Sequence, residues 1–227
     1  MSKTEGYVKF SQEFQSGPAP ASDVIAPINE VRTRLFDLGL IGMDEAGIGF
    51  GNVSVRASAV KDDGAPATAV SGTTASRADS PAFIVSGTAT GNKRVLAAED
   101  YATVTAFDID GNRVVAQGRT RASSESLSHG AVYAAREDVH AVIHVHSTVL
   151  FEAMLRDGFP RSSPEAEYGT PEIAREIRRV VAAEEEPRGS LVMGGHQDGV
   201  IAFAESVVRA ETIVIELARR YGALGRR

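Results

Sequence analysis

The chain has 227 residues, of which 43% are hydrophobic and 24% are charged, and these proportions are typical of a globular protein. Its formal net charge is −6, which argues against non-specific binding to nucleic acid, because such binding needs a basic surface. The chain contains no cysteine, so disulfides and thiolate ligands are excluded, and any metal site must use His, Asp or Glu.

The sequence carries no sign of a membrane span or of a secretory signal. No apolar run approaches the length of a membrane span, and the polar N-terminus is not followed by the apolar segment of a secretory signal. We therefore expect a cytoplasmic protein that binds neither membrane nor nucleic acid. Residues 1–21 are expected to form a loosely ordered arm with a short strand at residues 7–10, and residues 22–227 to form one domain.

Helical and strand patterns alternate along this domain. Apolar residues at helical spacing predict a first helix near Ser22, with its regular part beginning a few residues later because of Pro27. Further helices are predicted to begin near Ser123, Thr148, Thr170 and Ser206. Strands are predicted at residues 52–56, 82–85, 104–109, 113–116, 141–146, 190–193 and 200–204. Residues 60–81, rich in Ala, Ser, Thr and Gly, are predicted to form an extended surface loop.

Two glycine-rich segments lie next to predicted strands. Residues 47–51 contain three glycines and lead into Asn52, so main-chain N–H groups and a side-chain amide could surround an anion there. Residues 86–91 follow another strand and combine Gly, Ser and Thr, which suits an oxyanion or phosphate. Each segment taken alone is also explained by an ordinary polar turn.

Two histidines lie one residue apart in the apolar segment of residues 141–147, which predicts a buried strand. Because strand side chains alternate between faces, His144 and His146 point to the same side. Two neighbouring imidazoles supply half of a metal site, since zinc takes three or four such ligands. The spacing alone fits a pair of hydrogen-bonded strand histidines equally well.

Two further polar residues, Glu125 and His196, allow both structural and functional interpretations, and a third, His129, is interpreted as structural. Glu125 follows two serines at the start of a predicted helix, where glutamate is favoured in the first turn, so the motif alone favours a structural role. His196 lies in the glycine-rich connection of residues 194–199, where it is either a metal ligand or a solvated turn histidine. His129 is expected to be a packed or hydrogen-bonded structural histidine.

Taken in order, these motifs resemble the class II aldolase and adducin family. The motifs lie at residues 51–56, 88–91, 123–125 and 144–146, and at His196 with residues 199–202 after it. The similarity extends over residues 23–221. It implies a single-domain α/β fold, a three-layer α/β/α sandwich around a mixed, mainly antiparallel sheet, assembled as a homotetramer. The predicted order of strands and helices is compatible with that fold.

The resemblance also implies a set of site residues. His144, His146 and His196 correspond to the metal ligands, and Glu125 to the catalytic acid/base carboxylate. The positions that hold the substrate phosphate or its equivalent are Asn52, Thr90, Gly91, Ser123 and Ser124. Zn²⁺ is the expected ion, with Mn²⁺, Co²⁺ or Fe²⁺ as alternatives. Tyr168 is a candidate for the tyrosine that donates a proton in the fuculose-phosphate enzyme.

The activity implied is that of a metal-dependent aldolase, a lyase that cleaves a small hydroxy-carbonyl compound, expected to be a sugar phosphate, by a retro-aldol reaction. Cleavage leaves an enediolate whose charge a divalent ion stabilises, and Glu125 exchanges the proton on carbon. A sugar-phosphate epimerase or a decarboxylase would use the same site, although an epimerase is expected to carry Asp at position 125. A non-catalytic, adducin-like binding domain is a further alternative, and it would not need the histidines.

Overall fold

The structure is a computed structural model that describes residues 8–57 and 80–225 of the chain. The surface loop predicted at residues 60–81 lies, apart from its last two residues, outside the described residues. The helices are α1 (Ser22–Asp37), α2 (Ser126–Ala135), α3 (Thr148–Arg156), α4 (Pro171–Ala182) and α5 (Val207–Tyr221). The strands are β1 (Ser11–Ser16), β2 (Gly42–Met43), β3 (Gly49–Phe50), β4 (Asn52–Arg56), β5 (Phe83–Ser86), β6 (Tyr101–Asp108), β7 (Arg113–Gly118), β8 (Ala141–His146), β9 (Gly189–Val192) and β10 (Gly199–Ala204).

Eight of these strands form one sheet in the order β1-β7-β6-β5-β4-β8-β10-β9, while β2 and β3 form a separate small hairpin. The pairing of β1 with β7 is parallel, and every other neighbouring pair in the sheet is antiparallel. The predicted mixed, mainly antiparallel sheet is therefore confirmed.

Helices cover both faces of this sheet. In β8, Val142 packs into the core beneath α2 and α4, whereas Ile143 and Val145 pack into a second core beneath α1, α3 and α5. Alternation of strand side chains produces this division, because successive residues face opposite sides. The predicted three-layer α/β/α sandwich is thus confirmed. Among the helices of the described residues, none is long and apolar enough to cross a membrane.

Two local predictions near the N-terminus were wrong. The strand expected at residues 7–10 is found at Ser11–Ser16, where it forms the edge of the sheet beside β7. The first helix begins at Ser22, as predicted, but it continues without a break through Pro27, so the later start expected for its regular part was wrong. Ile25 and Ile28 flank this proline and are both buried, so packing against the core outweighs the hydrogen bond that proline cannot donate.

Strand register brings distant parts of the sequence together at one end of the sheet. Asn52 of β4 lies opposite His144 of β8, and His146 lies opposite Gly199 at the start of β10. The two histidines share the face of β8 on which α2 packs, because they alternate with the residues that face α1, α3 and α5. The start of β4, the end of β8 and the β9–β10 connection therefore meet beside the start of α2.

Candidate metal centre and active site

Three imidazoles meet at the end of β8. His144 and His146 lie on one face of the strand, and His196 approaches from the connection between β9 and β10. Nε2 of His146 is 3.0 Å from Nε2 of His196, and the three ligand atoms all lie within 4.8 Å of one another. Glycine at position 199 permits this approach, since a Cβ there would lie 2.6 Å from Cδ2 of His196. The structure thus brings together the three histidines predicted as ligands.

Desolvation keeps these imidazoles neutral. It lowers the pKa of His146 to about 4, and it holds the pKa of His144 and of His196 well below the ordinary value, with neighbouring imidazoles adding to the effect. A metal ion binds the neutral form of histidine. The cluster therefore has the protonation state that metal binding requires at neutral pH.

The donor set fits a divalent ion. Both ring nitrogens of His144 are buried, and neither has a hydrogen-bond partner among the described residues. Leaving a buried polar group without a partner costs about 1–3 kcal/mol, so a ligand at this position accounts for an otherwise unfavourable arrangement. Three neutral nitrogen ligands suit zinc and also manganese, cobalt or iron(II), and they leave coordination positions open.

The carboxylate of Glu125 is directed at the histidines. Glu125 is only 3% exposed, and its Oε1 lies 3.8 Å from Nε2 of His196. Helix α2 begins at Ser126, three residues later than predicted, and Glu125 occupies the position before it without forming a side-chain capping hydrogen bond. The side chain therefore does not cap the helix by a hydrogen bond, and the catalytic role of Glu125 stays a prediction.

A pocket of about 370 Å³ adjoins this cluster. All nine predicted site residues line it, including those assigned by resemblance to the substrate phosphate: Asn52, Thr90, Gly91, Ser123 and Ser124. The other walls come from the hairpin of β2 and β3, from the loop of residues 87–92 and from Tyr168. Residues separated by more than a hundred positions in sequence thus share one cavity, while their individual roles stay predictions.

Asn52 belongs to a buried hydrogen-bonded chain that runs from α2 to the pocket. Its Oδ1 lies 2.5 Å from Nε2 of His129, whose Nδ1 lies 2.6 Å from Oγ of Ser54. That hydroxyl is in turn 2.8 Å from the hydroxyl of Tyr133. The prediction that His129 is a hydrogen-bonded structural histidine is confirmed, and because His129 contacts Oδ1 of Asn52, the amide nitrogen of Asn52 is left to donate to Ser123.

Ser123 receives two hydrogen bonds on its hydroxyl oxygen. Nδ2 of Asn52 donates to it at 3.0 Å, and the main-chain N–H of Glu125 donates at 3.2 Å. A serine oxygen has two lone pairs, so its remaining capacity is to donate its own proton. Because Ser123 lines the pocket, this wall offers a donor, which suits a group that only accepts hydrogen bonds, such as a phosphate or carboxylate.

Two aromatic rings pack against the histidines. The ring of Tyr168 stacks on His196 with centroids 4.5 Å apart and planes inclined by 19°, and the ring of Phe50 lies 5.5 Å from His146. Tyr168 was predicted as a candidate proton donor, whereas no role was predicted for Phe50. The only sequence signal near Phe50 was the run of glycines around it, which indicated a close backbone approach but not a ring against a metal ligand.

Comparisons with known proteins agree with this geometry. A family model described as the class II aldolase and adducin N-terminal domain matches residues 42–221. Among curated protein sequences, none matches the chain.

Solved structures share the fold at low sequence identity. L-fuculose-1-phosphate aldolase from Thermus thermophilus is 19% identical with a TM-score of 0.58, over 89% of this chain and 92% of that chain. YgbL from Klebsiella pneumoniae, described as an aldolase, epimerase or decarboxylase, is 17% identical with a TM-score of 0.59, over 91% of each chain. A sugar-phosphate aldolase from Thermotoga maritima is 15% identical with a TM-score of 0.52, over 91% of this chain and 97% of that chain.

Proposed function

The chain belongs to the class II aldolase and adducin family, and from this premise we propose that it is a divalent-metal-dependent aldolase. It is a lyase that cleaves a carbon–carbon bond of a small hydroxy-carbonyl compound, a sugar phosphate, by a retro-aldol reaction. One observation carries the proposal: a buried carboxylate, Glu125, lies 3.8 Å from one of three clustered neutral histidines in a pocket of substrate size.

His144, His146 and His196 would hold the ion through their neutral ring nitrogens. A bound divalent ion supplies positive charge that stabilises the negative charge developing on substrate oxygen as the bond breaks. Glu125 delivers a proton to the carbon freed by cleavage, and removes that proton in the reverse direction. Its burial keeps bulk water away from the carbon while the proton is transferred.

We assign the phosphate to the wall of the pocket that Asn52, Ser123 and Gly91 form. Asn52 and Ser123 present hydrogen-bond donors there, and the glycine-rich loop around Gly91 adds its backbone. Zinc is the ion we expect, because three imidazoles and open positions are typical of catalytic zinc sites. We expect the enzyme to assemble as a homotetramer, as the family resemblance implies.

Metal content tests the ligand set. Wild-type protein incubated with zinc or manganese and then freed of excess metal should carry about one ion per chain by elemental analysis. His146→Ala should lose this ion, whereas His140→Ala, which lies outside the pocket, should keep it. Full metal content in His146→Ala would show that this histidine is not a ligand. Wild-type protein that takes up no ion would favour a non-catalytic, adducin-like binding domain instead.

Turnover tests the role of Glu125. Glu125→Gln should keep its metal and lose cleavage of hydroxy-ketone phosphates by about 10²–10⁴-fold, the usual contribution of a general acid–base group. Glu152→Gln, exposed on α3, is the matched control and should retain wild-type rates. An unchanged rate in Glu125→Gln contradicts the assignment. Epimerised or decarboxylated product from the wild-type enzyme would assign the same site to one of those reactions.

A further inference from the structure

We infer that Arg32 is a positioning residue for the substrate's anionic group, acting through the loop of residues 87–94, which we call the anion loop. It turns a peptide group of this loop so that an N–H donor faces the pocket, and it places a positive charge behind that donor. The inference rests on the proposed function in one respect, which is that the phosphate of the substrate binds beside this loop.

Among the residues that the structure describes, Arg32 has the largest fully buried side chain. It lies in the middle of α1 with 1% of its surface exposed. No carboxylate in the described ranges forms an ion pair with it, and burial lowers the pKa of its guanidinium. A buried cation without an acidic partner is unfavourable unless its N–H groups are satisfied. Both Nη groups have partners, whereas Nε is buried without one in the described ranges, so the partners of the Nη groups indicate what the residue is for.

Those partners are main-chain carbonyls of the anion loop. Nη2 of Arg32 donates to the carbonyl of Thr90 at 2.9 Å. Nη1 donates to the carbonyl of Lys93 at 2.7 Å and to that of Arg94 at 3.2 Å. A planar guanidinium has donors in a rigid fork, so one side chain fixes the direction of several peptide groups at once.

The geometry of the peptide bond relates the contact of the Thr90 carbonyl with Arg32 to the direction of the Gly91 N–H. The bond between Thr90 and Gly91 is a trans peptide, in which the C=O and the N–H point to opposite sides. Since the carbonyl of Thr90 is turned toward Arg32, the N–H of Gly91 is turned away from it. Gly91 lines the pocket and Arg32 does not, which is the arrangement expected if this donor faces the cavity.

The side chain of Thr90 increases the importance of this backbone donor. Its hydroxyl donates to the carbonyl of Gly87 at 2.9 Å, so its proton is already used within the loop. We therefore expect the loop to bind an anion through a main-chain N–H group rather than through the hydroxyl of Thr90. The charge of Arg32, on the opposite side of the same peptide, makes this N–H a better partner for an anion than for a neutral group.

A neighbouring residue of α1 provides a matched control. Asn29 holds the same segment a little further on, since its Nδ2 donates to the carbonyl of Leu96 at 2.7 Å and its Oδ1 accepts from the N–H of Leu96 at 3.1 Å. Asn29 thus anchors the chain next to the anion loop without touching the peptide of Gly91. Substitution of Asn29 tests whether loosening this segment in general affects anion binding. Substitution of Arg32 tests whether the orientation of the Gly91 N–H affects it.

The test is calorimetric titration of the full chain with inorganic phosphate, together with zinc content. Arg32→Met should weaken phosphate binding by about tenfold or more, the factor that corresponds to about 1.4 kcal/mol, and should bind zinc like the wild type. Arg32→Lys keeps the charge but not the fork, and should weaken binding by a smaller factor. Asn29→Ala should bind phosphate with wild-type affinity.

The results that would contradict the role of Arg32 can be told apart from those that would contradict the proposed function. Wild-type affinity in Arg32→Met, or equal losses in Arg32→Met and Asn29→Ala, would overturn the positioning role. If Arg32→Met does not fold, wild-type affinity in a folded Arg32→Lys protein would overturn it equally. Wild-type protein that binds zinc but no phosphate would also overturn this inference and would leave the metal-dependent activity standing. Protein that binds phosphate but no metal would overturn the proposed function and leave the role of Arg32 intact.

Discussion

His129 lies outside the pocket but determines how one pocket residue is presented. Burial lowers the pKa of His129 to about 3, so its ring is neutral at physiological pH and carries a single N–H. An amide oxygen can only accept, so the proton lies on Nε2, which donates to Oδ1 of Asn52. Nδ1 then accepts from the hydroxyl of Ser54. This fixed direction leaves Nδ2 of Asn52 as a donor toward Ser123 and the pocket.

The lowered pKa of His129 predicts how the stability of the folded protein depends on pH. The unfolded chain binds a proton at His129 near pH 6.5, whereas the folded protein does so only near pH 3. Between these values the unfolded state holds more protons. The free energy of unfolding therefore falls as the pH is lowered through this window, by up to about 1.4 kcal/mol per pH unit from this group.

Urea denaturation between pH 6.5 and pH 4.5 measures this dependence. In His129→Gln, which keeps an amide donor for Asn52 but does not titrate, the loss of stability on acidification should be smaller than in the wild type. His140→Gln is a control for a histidine outside the buried chain of hydrogen bonds. Parallel curves for wild type and His129→Gln would mean that His129 does not contribute to the acid sensitivity.

At the scale of elements, the pocket depends on close contact between the anion loop and the hairpin of β2 and β3. A Cβ at position 91 would lie 2.3 Å from the carbonyl oxygen of Gly42 and 2.6 Å from Cα of Gly49. Both of these atoms belong to the backbone, so neither can move without shifting the hairpin. The glycine is therefore needed for the packing of two elements, in addition to any contact with substrate.

Gly91→Ala should accordingly push the hairpin away from the loop. We expect a loss of about 1–3 kcal/mol in unfolding free energy, the usual cost of overpacking, and weaker phosphate binding. Gly17→Ala is the matched control, because a Cβ there meets its nearest atom at an ordinary 3.7 Å. Equal melting temperatures for Gly91→Ala and wild type would contradict the close packing described here.

Short sequence patterns correctly predicted those strands and helix starts that depend on neighbouring residues in the sequence. The alternation of residues 141–146 placed His144 and His146 on one face, and Thr170 with Pro171 marked the start of α4, as found. The role of Arg32 had no such signal, since an arginine between the apolar positions of an amphipathic helix is ordinarily solvated. Only the folded chain brings the carbonyl of Thr90, which is 58 residues away, over its guanidinium.

The position of β1 was not predictable for the same reason. Its sequence, Ser-Gln-Glu-Phe-Gln-Ser, is mostly polar, and its pairing partner β7 begins about a hundred residues later, with Ser11 opposite Arg113. Strand propensity depends on cross-strand neighbours and burial, and these are set by tertiary structure. The candidate site residues were predicted from the sequence because their motifs occur together in a known family, not because any one motif was specific.

On the scale of the whole molecule, the histidine cluster exists only in the folded chain. Two of its histidines lie on β8 and the third follows β9, and the carboxylate beside them precedes α2. An ion that binds this arrangement but not the unfolded chain stabilises the fold by mass action, by about 2.7 kcal/mol at a free concentration one hundred times its Kd. Metal binding should therefore appear as a change in melting temperature.

For a chain of this length we expect zinc at that concentration to raise the melting temperature by about 5–10 °C, and a chelator to reverse the change. His144→Ala should abolish this shift, because both nitrogens of His144 are buried without a hydrogen-bond partner in the described parts of the chain. His140→Ala should retain it, since that residue does not belong to the cluster. Differential scanning calorimetry with and without zinc makes the measurement. A zinc-induced shift of the same size in His144→Ala would place the stabilising ion elsewhere on the molecule.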